Sequence, residues 1–140
     1  MAGKLLLEVV TPEKLLLSQE VDEVIAPGVE GEFGVLPGHT YFISGLKIGE
    51  LRYRVADKME YMAVLWGYAE VTPTRVTVLA EISEKAEDID VERAQAAVEK
   101  AQKRLEVGGL PSELKEAQIS LEKARLRRKI AEHAKKGVHP

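Results

Sequence analysis

Few side chains in these 140 residues are arranged to do chemistry. The chain has no cysteine, which removes disulfides, thiolate nucleophiles and Cys-ligated zinc together and suits a reducing compartment. Its histidines, His39, His133 and His139, include no pair at metal-ligand spacing. Ser44 follows His39 closely, but nothing around it builds the strand-turn-helix elbow that exposes a serine nucleophile. The run Gly31-Glu-Phe-Gly-Val-Leu-Pro-Gly-His-Thr40 has the glycines of a phosphate-cradling loop. A P-loop, however, needs lysine where His39 stands and glycine where Phe33 stands. The run reads either as glycine-built turns between strands or as a shaped surface loop, on which Glu30 and Glu32 are exposed to a basic or amide-rich partner.

Two groupings of charge are left. Glu84, Asp90 and Arg93 fall where a strand-like pattern gives way to a helical one. They are capping and hinge residues, or one wall of a small-ligand pocket whose other wall is the last helix. Lys123, Arg125, Arg127, Arg128 and Lys129 spread around that helix instead of forming one stripe. They make a solvated face favoured near a helix C-terminus, or a surface for an acidic protein or a phosphate ligand, with Lys123 and Arg127 one turn apart and placed to share it. Nucleic acid asks for a larger positive charge and interleaved aromatics. The formal net charge is −3, and no aromatic residue follows Tyr68.

The elements that must position these groups follow from patterning. Apolar content of 45% and charged content of 31% are those of a globular protein. No apolar run approaches the ~20 residues of a membrane span. The opening Met1-Ala-Gly-Lys-Leu-Leu-Leu-Glu8 has too short an apolar run for a signal peptide and the wrong character for a transit peptide. Charge divides unevenly: residues 1–86 carry 8 Lys/Arg against 13 Asp/Glu, and residues 87–140 carry 12 against 10. Short alternating or β-branched runs, bounded by Gly, Pro, Asp or Thr-Pro, predict strands at Leu5–Val10, Leu15–Ser18, Val21–Ala26, Phe33–Leu36, Tyr41–Leu46, Glu50–Val55, Met59–Leu65, Tyr68–Val71 and Val76–Glu81. With no helix between them, these predict antiparallel connections in a sandwich or flattened barrel over residues 1–86.

From residue 87 to 140 the period becomes helical. Ala94, Ala97, Val98, Ala101 and Leu105 share one narrow face. Asp90 is placed to accept a backbone N–H at Glu92 or Arg93 and start the helix. Gly108-Gly109-Leu110-Pro111 ends it, and Ser112 offers a cap for the next helix, which runs to about Ala134. That second helix has two apolar faces: Leu114, Ala117, Leu121, Ala124 and Ala131 on one, Ile119, Leu126, Ile130 and Ala134 on the other. An antiparallel hairpin buries only one of them, so the other needs the β domain or another protein. The seam is mostly alanine and buries little apolar area, so the hairpin is weakly held and readily moved. The fold class expected is α+β: an N-terminal antiparallel β-sandwich followed by a C-terminal antiparallel two-helix hairpin.

Val9-Val-Thr-Pro-Glu13, Glu30-Gly-Glu-Phe-Gly-Val-Leu-Pro-Gly-His-Thr40, Gly67-Tyr-Ala-Glu-Val71, Val76-Thr-Val-Leu-Ala80 and Ala86-Glu-Asp-Ile-Asp-Val-Glu-Arg-Ala94 come in an order that resembles the epsilon-subunit family of the bacterial rotary (F-type) ATP synthase. Trp66 departs from the pattern, since the family usually has glycine there. The resemblance implies a non-catalytic central-stalk subunit that requires no cofactor and is peripheral to the cytoplasmic face of the bacterial inner membrane. Its implied partners are the gamma subunit, the c-ring and the catalytic beta subunit, with no nucleic acid. Glu30, Glu32 and His39 are then partner contacts of the sandwich, and Arg125 and Arg128 of the extended arm. Compact, the hairpin lies on the sandwich; extended, it inhibits ATP hydrolysis. The resemblance also implies a regulatory ATP site, from an Ile-Asp-x-x-Arg-Ala motif at Ile89, Asp90, Arg93 and Ala94, with Glu84 and Arg127. Lys123 stands where a second arginine is usual, keeping charge without the planar fork. The alternative is a free-standing ligand-binding β-sandwich that dimerises through its hairpin.

Overall fold

A computed structural model describes residues 3–137, with side chains followed to Ala134; His139 lies outside the described residues. Eight strands come first: β1 Leu5–Val10, β2 Leu15–Val21, β3 Glu23–Gly28, β4 Gly31–Val35, β5 Phe42–Leu46, β6 Gly49–Val55, β7 Lys58–Val71 and β8 Arg75–Lys85. A 3-10 turn, Ala86–Asp88, leads to α1 Val91–Val107 and α2 Pro111–Gly137. Alternation builds the core. In β1, Leu5, Leu7 and Val9 are fully buried while Leu6, Glu8 and Val10 between them are not, as a period of two requires. They meet Val21, Val24, Val35, Leu51, Met62, Val64, Val76 and Val78 from the other strands.

The strands pair in the order β2-β1-β8-β7-β5-β3-β4, with β6 bonded to both β3 and β7. All pairings are antiparallel except β1 with β8, which runs parallel from Leu6↔Arg75 to Val10↔Leu79. Tight turns dictate the sense of consecutive strands only. β1 and β8 meet from the two ends of the meander, and no local signal sets their relative direction.

The two strands expected between residues 59 and 71 are one bent strand, Lys58–Val71, of 14 residues. Its first half pairs with β6, as far as Gly49↔Val64, and its second with β5, from Leu46↔Gly67 onward. β8 spans both halves, with Leu65↔Ile82 and Gly67↔Ala80, and is drawn out to Lys85. Trp66 at φ +56° and Gly67 at φ +149° make the bend at which β7 exchanges partners. A side chain at Gly67 would put its Cβ 2.0 Å from the Leu79 carbonyl oxygen, so only glycine fits. A second boundary also moves. Val21 ends β2, and Asp22 makes the corner before β3, its carboxylate accepting the Ala56 N–H at 2.8 Å and the Lys4 ammonium at 2.9 Å.

The helices start and stop largely as their residues dictate. Asp90 Oδ1 accepts the Arg93 N–H at 3.1 Å and caps α1, and Gly108 at φ +80° ends it. Pro111, not the residue after Ser112, opens α2; proline suits a first turn because the N–H it lacks has no helical partner there. Both faces of α2 are covered within the chain. Leu121 and Ala124 pack on Val98 and Ala101 of α1, with Leu105 alongside. Ile130, wholly buried, packs with Leu126 and Ala134 on Ala63 and Leu65 of β7, Ala86 of the 3-10 turn, and Ile48, Tyr61 and Ile89. The hairpin is therefore docked on the sandwich. Ala97 leaves the expected seam and is exposed.

Candidate functional site

A cavity of about 250 Å³ opens where the end of β8, the 3-10 turn, the start of α1 and the middle of α2 converge. Glu84, Ile89, Asp90, Arg93, Ala94 and Arg127, dispersed over 44 positions of sequence, all line it, together with Asp88, Ala97 and Ala124. The small side chains of Ala94, Ala97 and Ala124 leave the space open between the helices. Glu84 Oε1 accepts the Arg127 Nε–H at 2.6 Å, tying β8 to α2. Asp90 spends one carboxylate oxygen on the Arg93 N–H and keeps the other. Three carboxylates thus stand beside two guanidiniums around an apolar floor. The carboxylates accept hydrogen bonds from amino or hydroxyl groups of a ligand, and the guanidiniums donate in pairs to phosphate or carboxylate oxygens.

Lys123 is not part of that wall. Its ammonium lies over the Trp66 ring, 4.7 Å from the centroid. Asp88 joins the cavity although sequence reasoning passed over it; its adjacency to Ile89-Asp90 was the available signal. Arg128 donates to Gln95 Oε1 on α1 at 2.9 Å, whereas Arg125 is exposed.

Glu30, Glu32 and His39 belong to a different region, the end of the sandwich. A shallow groove there is lined by Val29, Glu30, Glu32, Phe33, Phe42 and Ile43 among others. Phe33 and Phe42 meet edge to face at 5.2 Å, and His39 lies beside Phe42. Val29, Leu36, Tyr41 and Ile43 are all more than half exposed, an apolar concentration of the kind that marks a protein contact. Glu32 is on β4, not a loop, and Arg52 engages it at 2.6 Å. His39 places Nδ1 2.7 Å from the Thr40 carbonyl oxygen, and the Ser44 hydroxyl donates to the Gly45 carbonyl at 2.9 Å. The two do not form a catalytic pair. Among the described residues no cluster of three His, Cys, Asp or Glu side chains is disposed to hold a metal, and no helix is long and apolar enough to cross a membrane.

Perturbed ionisation falls outside both places. Burial, with the charges of Glu60 and Glu87, pushes the Tyr53 hydroxyl up to about 12. The Lys4 hydrogen bond, followed by the Ala56 N–H, holds Asp22 below the usual carboxylate range. Both are structural groups of the sandwich.

The model of the ATP synthase delta/epsilon chain β-sandwich domain matches residues 4–86, and that of the long α-helix domain matches residues 87–132. An ATP synthase epsilon chain of Syntrophobacter fumaroxidans is 53% identical over 132 residues, covering 94% of this chain and 98% of the relative. One from Citrifermentans bemidjiense is 52% identical over 134 residues, covering 94% and 96%. Among solved structures, a chain of the Euglena gracilis mitochondrial ATP synthase (OSCP, F1 and c-ring) superposes with a TM-score of 0.79 at 23% identity, covering 96% of this chain and 82% of that one. A chain from the Tetrahymena thermophila central stalk and c-ring gives a TM-score of 0.62 at 12% identity, covering 93% and 98%. These two establish likeness of fold. Agreement over nearly the full length does not favour a free-standing sandwich that dimerises through its helices. The chain belongs to the ATP synthase delta/epsilon family, as an epsilon-type, non-catalytic subunit.

Proposed function

We propose that the chain couples the rotor of a proton-translocating F-type ATP synthase to the c-ring and restrains ATP hydrolysis through its helical hairpin. The sandwich end bearing Glu30, Glu32 and His39 would meet the gamma subunit and the polar loops of the c-ring, which places the chain peripherally at the cytoplasmic face of a bacterial inner membrane. The exposed Leu36, Tyr41 and Ile43 support contact with protein there. Released from the sandwich, the hairpin would extend along gamma toward the catalytic beta subunit, with Arg125 and Arg128 meeting acidic side chains.

The observation that carries this reading is the seating of α2. One large side chain, Ile130, anchors its second face on the sandwich, beside a cavity whose walls come from both parts of the chain. A ligand filling that cavity stabilises the docked state by mass action. Its chemistry suits ATP: Arg93 and Arg127 face phosphate oxygens, Glu84, Asp88 and Asp90 accept from amino and ribose hydroxyl groups, and Ile89 and the alanines lie against a base. At about 250 Å³ the space is just below the roughly 300–1,000 Å³ of ordinary small-molecule sites, so part of the nucleotide projects outward. Calorimetric titration with ATP should give binding heat that Arg93→Ala abolishes; equal heats in both would remove the site. Deleting residues 88–140 should leave assembly intact and raise ATPase activity. Unchanged activity would remove the inhibitory role.

A further inference from the structure

Trp66 combines two features that call for an explanation. It is the only tryptophan of the chain, and it is held at φ +56°, a left-handed conformation that is an outlier for a bulky residue and is unfavourable for it. Strain of that kind persists where surrounding contacts offset it. The contact present is with α2: the Lys123 ammonium stands 4.7 Å from the indole centroid, inside the ~6 Å range of a cation–π interaction. Trp66 is 39% exposed and Lys123 half-buried, so the pair is partly desolvated at the arm's edge.

Lys123 does not act alone. At 100° per residue, Lys123, Arg127 and His133 fall within a sector of about 120° that also holds Leu126, Ile130 and Ala134. Each of the three polar residues grips a different strand: Lys123 on Trp66 of β7, Arg127 on Glu84 of β8 at 2.6 Å, and His133 on Glu50 of β6 at 2.6 Å. Tyr61 of β7 also packs against the His133 ring, with centroids 5.1 Å apart. Polar contacts thus border the apolar seat of Ile130 along the whole docked stretch of α2.

We infer that Trp66 and Lys123 form a latch that fixes the middle of α2 to the bend of β7 whether or not the adjacent cavity is filled. The reason is geometric. Lys123 is absent from the cavity wall, and its ammonium is already engaged by the ring of a residue that keeps a strained backbone in place. The docked state therefore has an intrinsic hold at this corner, to which any ligand adds. This inference does not rest on ATP binding or on inhibition of hydrolysis.

The test is a double-mutant cycle on the full chain without ligand, read by amide hydrogen exchange over residues 123–134. Lys123→Met keeps the apolar stem and removes the cation. It should accelerate exchange about 2- to 5-fold when Trp66 is present, the range expected of an exposed cation–π pair. In a Trp66→Leu background it should do nothing. Trp66→Gly, for which the left-handed φ is relaxed, replaces the leucine background if that variant does not fold. As the sole tryptophan, Trp66 also reports directly, and its emission should change on Lys123→Met. An equal effect of Lys123→Met with and without the indole, or no effect in either background, overturns the latch.

Discussion

Ile130→Ala isolates the seat of the arm. Ile130 is the one large, fully buried side chain of α2 in the cluster it forms with Ala63, Leu65 and Ala86, and it is wholly enclosed. Truncating such a residue to alanine typically costs about 2–5 kcal/mol, from lost burial and the cavity left behind. Leu126 and Ala134, its neighbours on the same face of α2, are only partly buried, so Ile130 carries the largest single share of the arm's apolar burial on the sandwich. At about 1.4 kcal/mol per tenfold, the docking equilibrium weakens roughly 30- to several-thousand-fold, capped where the arm is fully released. The core of Leu5, Leu7, Val9, Met62 and Val78 is separate from this cluster, so the sandwich keeps its own stability. Hydrogen exchange read by mass spectrometry distinguishes the two parts. Exchange in residues 111–134 should accelerate by that factor, while the amides of β1 and of Val76–Ala80 keep the parent rate. Uniform acceleration through both parts would refute the reasoning, because arm and sandwich would then unfold as one unit. No acceleration anywhere would show that Ile130 does not hold the arm.

Two further outcomes concern the sandwich. Gly67→Ala sets a Cβ 2.0 Å from the Leu79 carbonyl oxygen at φ +149°; it should cost more than about 3 kcal/mol in denaturant unfolding, since sheet backbone on both sides must shift, and a loss below 1 kcal/mol would contradict the bend. Tyr53 holds its proton up to about 12 in the folded chain, against about 10 in an unfolded one, so between those values the folded state binds more protons. Its contribution is complete below pH 10 and is lost as pH rises toward 12. Thermal unfolding of Tyr53→Phe should accordingly decline less over that window than the parent; parallel declines would contradict the assignment.

Local physics made much of this chain legible before its structure. The apolar run Leu5-Leu-Leu-Glu-Val-Val10 marked β1, and Asp90 marked the start of α1 through the hydrogen bond it makes. The opposed apolar faces of α2 correctly required a partner beyond α1, which proves to be the sandwich. What local pattern does not carry is direction and long-range meeting. The parallel pairing of β1 with β8 joins residues nearly 70 positions apart, and the break suggested by Trp66-Gly67 is a bend because β8 continues alongside it. The cavity was legible in part. Ile89, Asp90, Arg93 and Ala94 are near neighbours at the start of α1, and Glu84 was legible with Asp90 and Arg93 as a wall facing the last helix, but its ion pair with Arg127, across 43 positions, was not. Still longer separations hid the capture of Lys123 by Trp66 and of His133 by Glu50.

The central claim, that the helical arm is a movable brake, is tested most directly by preventing its movement. The chain is free of cysteine, so Glu84→Cys with Arg127→Cys, at two positions whose parent side chains touch at 2.6 Å, is the only site for a short bifunctional thiol reagent on this subunit. Assembled into the synthase and cross-linked in the docked state, this variant should hydrolyse ATP as fast as an enzyme carrying the chain without residues 88–140, and faster than the same variant left unlinked. Hydrolysis restrained equally with the arm locked and free would contradict the account.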